Sequence, residues 1–121
     1  MSFKVRLLPE ADVELIALPK QERAAMVNAL IKVAEIGDQL GAPHSSAVMG
    51  MDSFLRELRP RRGASPWRAF YSRVGDEFVV GSIGPEAQQN PRGFDKSVGS
   101  AVERIRAFAE EVEESDGKVA E

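Results

Sequence analysis

The segment Leu55-Arg56-Glu57-Leu58-Arg59-Pro60-Arg61-Arg62-Gly63-Ala64-Ser65-Pro66-Trp67-Arg68-Ala69-Phe70-Tyr71-Ser72-Arg73 decides how this chain is read. Two strand-like runs, Phe54 to Arg59 and Trp67 to Arg73, flank a Pro60–Pro66 stretch of turn formers, so the pattern predicts strand, turn, strand. Six arginines fall in this segment against one acid, Glu57, although the whole chain has a net charge of −3. A guanidinium presents a planar fork of donors matched to phosphate, and neighbouring aromatic rings can stack on bases. The segment therefore predicts a local basic surface, with RNA as the first partner to consider. The acidic overall balance excludes the indiscriminate polyanion binding of a uniformly basic protein.

Working outward, Phe78 to Ile83 is apolar with little alternation, which predicts an interior strand covered on both faces. A weaker strand signal lies near Ala47 to Met49, beyond the turn formers Met51-Asp52-Ser53. Together these runs predict an antiparallel meander. At the other end, Phe3 to Leu8 alternates apolar and basic residues with the period of a half-buried strand, and Pro9 ends it. A helix follows to about Leu18, Pro19 restarts the chain, and Gln21 to Leu40 carries a wide apolar stripe that includes Met26, Leu30 and Val33. After a Gly84–Gly93 loop, Asp95 or Ser97 caps a last helix whose apolar positions are Val98, Val102, Ile105 and Phe108. The fold class predicted is α+β: an N-terminal strand, a helical hairpin, an antiparallel strand meander and a C-terminal helix. Residues 1–109 are expected to form one domain, and residues 110–121 an acidic, frayed end.

With 121 residues, the chain suffices for one hydrophobic core. Absence of cysteine excludes disulfides and thiolate metal sites, and a single histidine, His44, cannot build a metal centre; no metal and no cofactor are expected. No apolar run approaches the roughly 20 residues that span a bilayer, and the first residues lack a secretory pattern. A cytoplasmic location without membrane association is the expectation.

The quoted segment also carries a resemblance. Leu55-Arg56-Glu57-Leu58-Arg59-Pro60 followed by Trp67-Arg68-Ala69-Phe70-Tyr71 resembles the L-x-E-L-R-P … [YW]-R-[VA]-F-Y core of the phage-derived HigB-like toxins of the RelE/ParE toxin-antitoxin superfamily. Leu40-Gly41-Ala42-Pro43-His44 is similar to that family's L-G-x-P-H. The resemblance implies a RelE-like fold and the toxin of a type II toxin-antitoxin system, a ribosome-dependent endoribonuclease that cuts messenger RNA without a metal and inhibits translation. It implies a cognate antitoxin, commonly with a helix-turn-helix domain, so that DNA is met only indirectly through that partner.

On the matching positions the resemblance implies that Arg59 and Arg68 stabilise charge on the phosphate and that Tyr71 takes part in proton transfer. Trp67 would stack on a nucleotide, while Arg56, Arg61, Arg62 and Arg73 grip RNA. One departure stands out: the family's lysine-rich run after the last strand is replaced by Ile83-Gly84-Pro85-Glu86-Ala87-Gln88-Gln89-Asn90-Pro91. Arg92 and Lys96 lie close enough in sequence to substitute. The departure keeps open a weakened or non-catalytic homologue that binds antitoxin or RNA, and beside it a ParE-like inhibitor of gyrase.

Period two puts Trp67, Ala69 and Tyr71 on one face of their strand and Arg68 with Phe70 on the other. Core packing and catalysis compete as readings of Trp67 and Tyr71. Arg68 is expected on the open side of the sheet, with an ion pair to Glu57 as the alternative. His44 is expected to pack or cap its loop.

Overall fold

In a computed structural model of the protein, which describes residues 2–50 and 54–119, the elements are β1 (Lys4–Leu7), α1 (Pro9–Ile16), α2 (Lys20–Ile36), β2 (Ser45–Ala47), β3 (Arg56–Leu58), β4 (Trp67–Val74), β5 (Glu77–Pro85) and α3 (Pro91–Val119). β2 to β5 form the antiparallel meander read from the sequence. β1 adds to the far side of β5 in parallel, from Lys4 opposite Glu77 to Leu7 opposite Val80, which gives the order β1-β5-β4-β3-β2. The sheet is therefore mixed. That parallel pairing joins segments some 70 residues apart in sequence, and no local pattern reports it.

Helices cover both faces of this sheet. Ala11, Leu18, Met26, Leu30 and Val33 of the α1–α2 region pack on Leu58, Ala69, Tyr71, Phe78 and Val80. On the opposite face, Ala101 and Ile105 of α3 pack on Leu55, Phe70 and Val79. Neighbouring residues Phe70 and Tyr71, like Val79 and Val80, thus enter different cores, as strand alternation requires. The unbroken apolar run in β5 has the same origin, since both its faces are buried.

Pairing between β4 and β5 is interrupted once: Phe70 faces Ser82 and Tyr71 faces Val80, leaving Gly81 as an extra residue. Side chains satisfy the backbone around this bulge. Arg104 Nη1 of α3 donates to the Gly81 carbonyl at 3.0 Å, and the Ile83 N–H donates to Glu14 Oε1 of α1 at 3.0 Å. Arg104 and Glu14 also pair at 3.2 Å, so one cluster links both helical layers to the sheet. The strand lies close under α3, because a Cβ added at Gly81 would stand 2.8 Å from the Ala101 Cα, and one at Gly84 would collide with the Ser97 side chain.

Several boundaries differ from the sequence reading. The long helix gives way after Ile36 to a 3-10 turn, Gly37–Gln39, because Gly37 adopts a positive φ of 66° under the ring of Phe3. β2 begins at Ser45, earlier than the predicted Ala47. The last helix begins at Pro91, since Asn90 caps it: its Oδ1 accepts from the Gly93 N–H at 2.9 Å, and Pro91 has no N–H to satisfy. Neither Asp95 nor Ser97 is the cap. The helix continues beyond residue 109 through the acidic stretch to Val119. The turn predicted at Met51-Asp52-Ser53, like the last two residues, lies outside the described residues. No helix among those described is long and apolar enough to cross a membrane.

Close contact between α3 and β5 separates the effects of two glycine substitutions. Gly84→Ala is expected to destabilise by about 1–3 kcal/mol through overpacking against Ser97. Gly99→Ala, in α3 with open space where its methyl would go, is expected to stabilise by about 0.5–1 kcal/mol. Urea unfolding monitored by circular dichroism checks both.

Candidate nucleic-acid interface

An arginine buried in a central strand is costly unless its charge is met. Arg68 is 5% exposed and is met by three hydrogen bonds: Nε donates to Glu57 Oε2 at 3.2 Å, and Nη1 donates to the carbonyls of Ser65 at 2.7 Å and Trp67 at 3.0 Å. Burial pushes its pKa below the ordinary arginine value, and the Glu57 charge opposes that shift. The expected open-face orientation of Arg68 is not what the structure holds. The ion pair with Glu57 takes its place, because β3 sets Glu57 beside Phe70 on the same face as Arg68.

Glu57 serves a second arginine. Its other oxygen lies 3.4 Å from Arg59 Nη2, and the Arg59 side chain is 38% exposed where the Arg68 side chain is 7% exposed. One carboxylate thus holds an inner and an outer guanidinium. Arg59 Nε is buried without a hydrogen-bond partner. The Arg59 N–H donates to the His44 carbonyl at 2.8 Å, which sets these two residues opposite each other just beyond the β2–β3 ladder.

The loop after Arg59 is strained and pinned. Arg61 and Arg62 have left-handed φ values of 54° and 58°, and Gly63 follows at 98°. Left-handed backbone disfavours residues with a Cβ by roughly 1–2 kcal/mol each. Glu22, in the first turn of α2, offsets that cost: it accepts from Arg61 Nη1 at 2.9 Å and from Ser65 Oγ at 2.8 Å, while Arg61 Nη2 donates to the Gln21 carbonyl at 3.3 Å. The loop is thereby tied to α2. Arg62 has no ion-pair partner among the described residues.

Between this loop and α2 lies an open cleft of about 430 Å³. Its cations are Lys32, Arg59, Arg61 and Arg62, its floor is Ala24, Ala25, Ala29 and Leu58, and Gln21, Asn28 and His44 complete the walls. No carboxylate is among the lining residues. A smaller cleft of about 310 Å³ on the other side of Arg59, beside Arg68, is lined by both Glu57 and Glu86 and suits an anion less well.

The structure gathers only part of the expected site here. Arg59, Arg61 and Arg62 share the cleft. Tyr71 is 2% exposed in the core and shares a 2.6 Å hydrogen bond with Ser45 Oγ, which also accepts from Arg56 Nε at 2.9 Å. Trp67 is half-buried against the α1–α2 core. Arg73, at the far end of β4, pairs with Asp38 and lies over the rings of Phe3 and Phe78. Arg92 and Lys96 are exposed on the first turns of α3 and do not line the cleft. Among the titratable lining residues, two were not legible as site residues: Lys32, lost among the charges of α2, and His44, read as packing its loop. Only the β2–β3 pairing and the folded-back loop bring them to the arginines.

With this geometry in place, comparison with known proteins decides the family. The family model described as Phage derived protein Gp49-like matches residues 13–81, from α1 into β5 and across the whole arginine hairpin. The chain belongs to this phage-derived Gp49-like family. No curated protein sequence matches it. Among solved structures, the Gp49-like chain is similar to an arginine-substituted mutant of the Escherichia coli toxin RelE in the free state, with a TM-score of 0.63, 20% identity, and coverage of 87% of this chain and 99% of that one. It also resembles isolated Escherichia coli RelE toxin, with a TM-score of 0.55, 20% identity and coverage of 86% and 99%. A third likeness is to a chain of the toxin-antitoxin complex RelBE2 from Mycobacterium tuberculosis, with a TM-score of 0.55, 15% identity and coverage of 71% and 100%. At these identities the Gp49-like protein shares the RelE-like fold.

Strain and charge at this site set opposite outcomes for two substitutions. Arg62→Gly removes a left-handed Cβ and is expected to stabilise the protein by about 1 kcal/mol. Glu57→Ala leaves Arg68 buried without its counter-charge and is expected to cost about 3 kcal/mol. Both are read by chemical denaturation against wild type.

Proposed function

We propose that the chain is the toxin of a type II toxin-antitoxin pair, a HigB-like, ribosome-dependent endoribonuclease that cuts messenger RNA in the cytoplasm. The observation that carries this reading is the four-cation cleft without a lining carboxylate, placed on a RelE-like fold in a phage-derived family. Membership of a toxin in a two-protein complex is what the RelBE2 structure describes for that protein, and a cognate antitoxin, with a helix-turn-helix domain, is proposed here by likeness.

In metal-free cleavage of RNA by its own 2′-hydroxyl, the 2′-oxygen bonds to phosphorus as a cyclic phosphate while the P–O5′ bond breaks, which needs cations where charge develops on the phosphate, a group to take the hydroxyl proton and an acid for the leaving 5′-oxygen. Arg59 fits the first role, as its side chain is partly exposed and anchored from behind by Glu57. Arg68 supports it through the shared carboxylate, and Tyr71 supports the β2–β4 side of the site through Ser45. Any contact of Tyr71 with RNA requires it to leave its buried hydrogen bond. Arg61 and Arg62 grip the backbone. Arg56, Trp67, Arg73, Arg92 and Lys96 lie outside the cleft and contribute at most to the wider field.

One observation favours the second reading, a homologue that binds RNA or antitoxin without cutting. The segment where the lysine run is expected contributes Glu86, Ala87 and Gln88 to the smaller cleft, and no lysine.

The test is expression of wild type, Arg59→Ala and Arg73→Ala in a heterologous bacterium, with growth and messenger RNA integrity followed together. Growth arrest with cleaved messages is expected for wild type and Arg73→Ala, and loss of both for Arg59→Ala. Equal arrest by all three proteins would remove Arg59 from the mechanism. Arrest with intact messages would favour the non-cutting reading or gyrase inhibition.

A further inference from the structure

The cleft contains more than an anion site requires. Cations alone would serve for phosphate, yet the walls also hold two carboxamide side chains, Gln21 and Asn28, and an imidazole, His44, around a floor of alanine methyl groups and Leu58. We infer that this cleft is a subsite for one unstacked nucleotide of single-stranded RNA, in which Arg59 and Arg62 hold the phosphate, His44 and the methyl floor take the base face, and Asn28 and Lys32 of α2 meet its edge and the adjoining phosphate. This inference rests on the RNA reading above and adds residues of α2 to it.

Three observations support that occupant. The volume of about 430 Å³ suits a single nucleotide in an open site. Unstacked bases in single strands are recognised by stacking on planar side chains, histidine among them, and by hydrogen bonds to base edges, for which a carboxamide supplies both a donor and an acceptor. His44 and Arg59 stand opposite each other across the β2–β3 pairing, so a phosphate held by the guanidinium has its own base or sugar within reach of the imidazole.

Charge distribution points the same way. Arg61 already spends its charge on Glu22, while Arg62 and Lys32 have no ion-pair partner among the described residues. The strain at Arg62 is understandable as the cost of aiming a free cation at the cleft mouth, since strained backbone persists where the surroundings fix it for function. An acidic peptide would use the cations equally well, but it would have no need of the imidazole and the paired amides.

The experiment measures binding of a fluorescently labelled RNA hexamer by anisotropy, at fixed moderate salt, to wild type, Lys32→Glu, His44→Ala, Arg59→Ala and Lys4→Glu. Lys4 is exposed on β1 at the opposite edge of the sheet, so Lys4→Glu makes the same charge change away from the cleft. Lys32→Glu and His44→Ala are each expected to weaken binding at least tenfold, and Lys4→Glu less than twofold, with all variants melting within a few degrees of wild type by circular dichroism. Equal weakening by Lys32→Glu and Lys4→Glu would overturn the subsite, leaving only a general field. Loss of binding in Arg59→Ala alone would overturn it too while the RNA reading stands. If wild type fails to bind the hexamer but binds a glutamate-rich peptide of equal charge, the subsite and the RNA reading fall together.

Discussion

A buried arginine near the start of the central strand constrains everything around it. Arg68 is the one buried charge of β4, and a buried guanidinium of this kind persists only where donors and charge are met. Meeting them requires β3 to set Glu57 alongside, and it requires the loop before β4 to turn so that the Ser65 and Trp67 carbonyls face inward. Once Glu57 is fixed for that purpose, its second oxygen orients Arg59 at the surface. The exposed arginine is therefore positioned by the neutralisation of the buried one.

The same economy appears in the loop. Two consecutive left-handed arginines are a local defect in the free energy of the fold, and Glu22 compensates by binding Arg61 and Ser65 together. The result is a short basic flap fastened to the start of α2, with a cleft beneath it. Because the flap is held by an ion pair that is partly exposed, salt weakens its fastening as well as the attraction of an anionic ligand. Elsewhere the fold is conservative: two apolar layers on a five-stranded sheet, with a bulge at Gly81 whose backbone groups are satisfied by Arg104 and Glu14.

Most of the architecture was legible in the sequence because its periods are local. Alternation near Lys4 to Leu7, the apolar stripe of α2 and the continuous apolar run of β5 each report an element and its burial. The parallel place of β1 was not legible, since long-range pairing leaves no mark on either strand alone. The cap of the last helix was misplaced, since the capping asparagine, Asn90, stands before a proline. At the site, arginine clustering and motif order located the hairpin, but alternation alone could not say that Arg68 turns inward to Glu57. Nor could it show that His44 and Lys32, more than ten residues from one another and from Arg59 in sequence, meet across a cleft. Those facts depend on a loop folding back on a helix, which no local pattern encodes.

The central claim is that this RelE-like chain acts on RNA through the arginine cleft. Mapping the 5′ ends of a defined messenger RNA after incubation with the purified chain, with and without translating ribosomes and without added metal, tests it most directly. New ends that appear only with ribosomes are the predicted result. Messages left intact under both conditions would contradict the claim that the protein cuts.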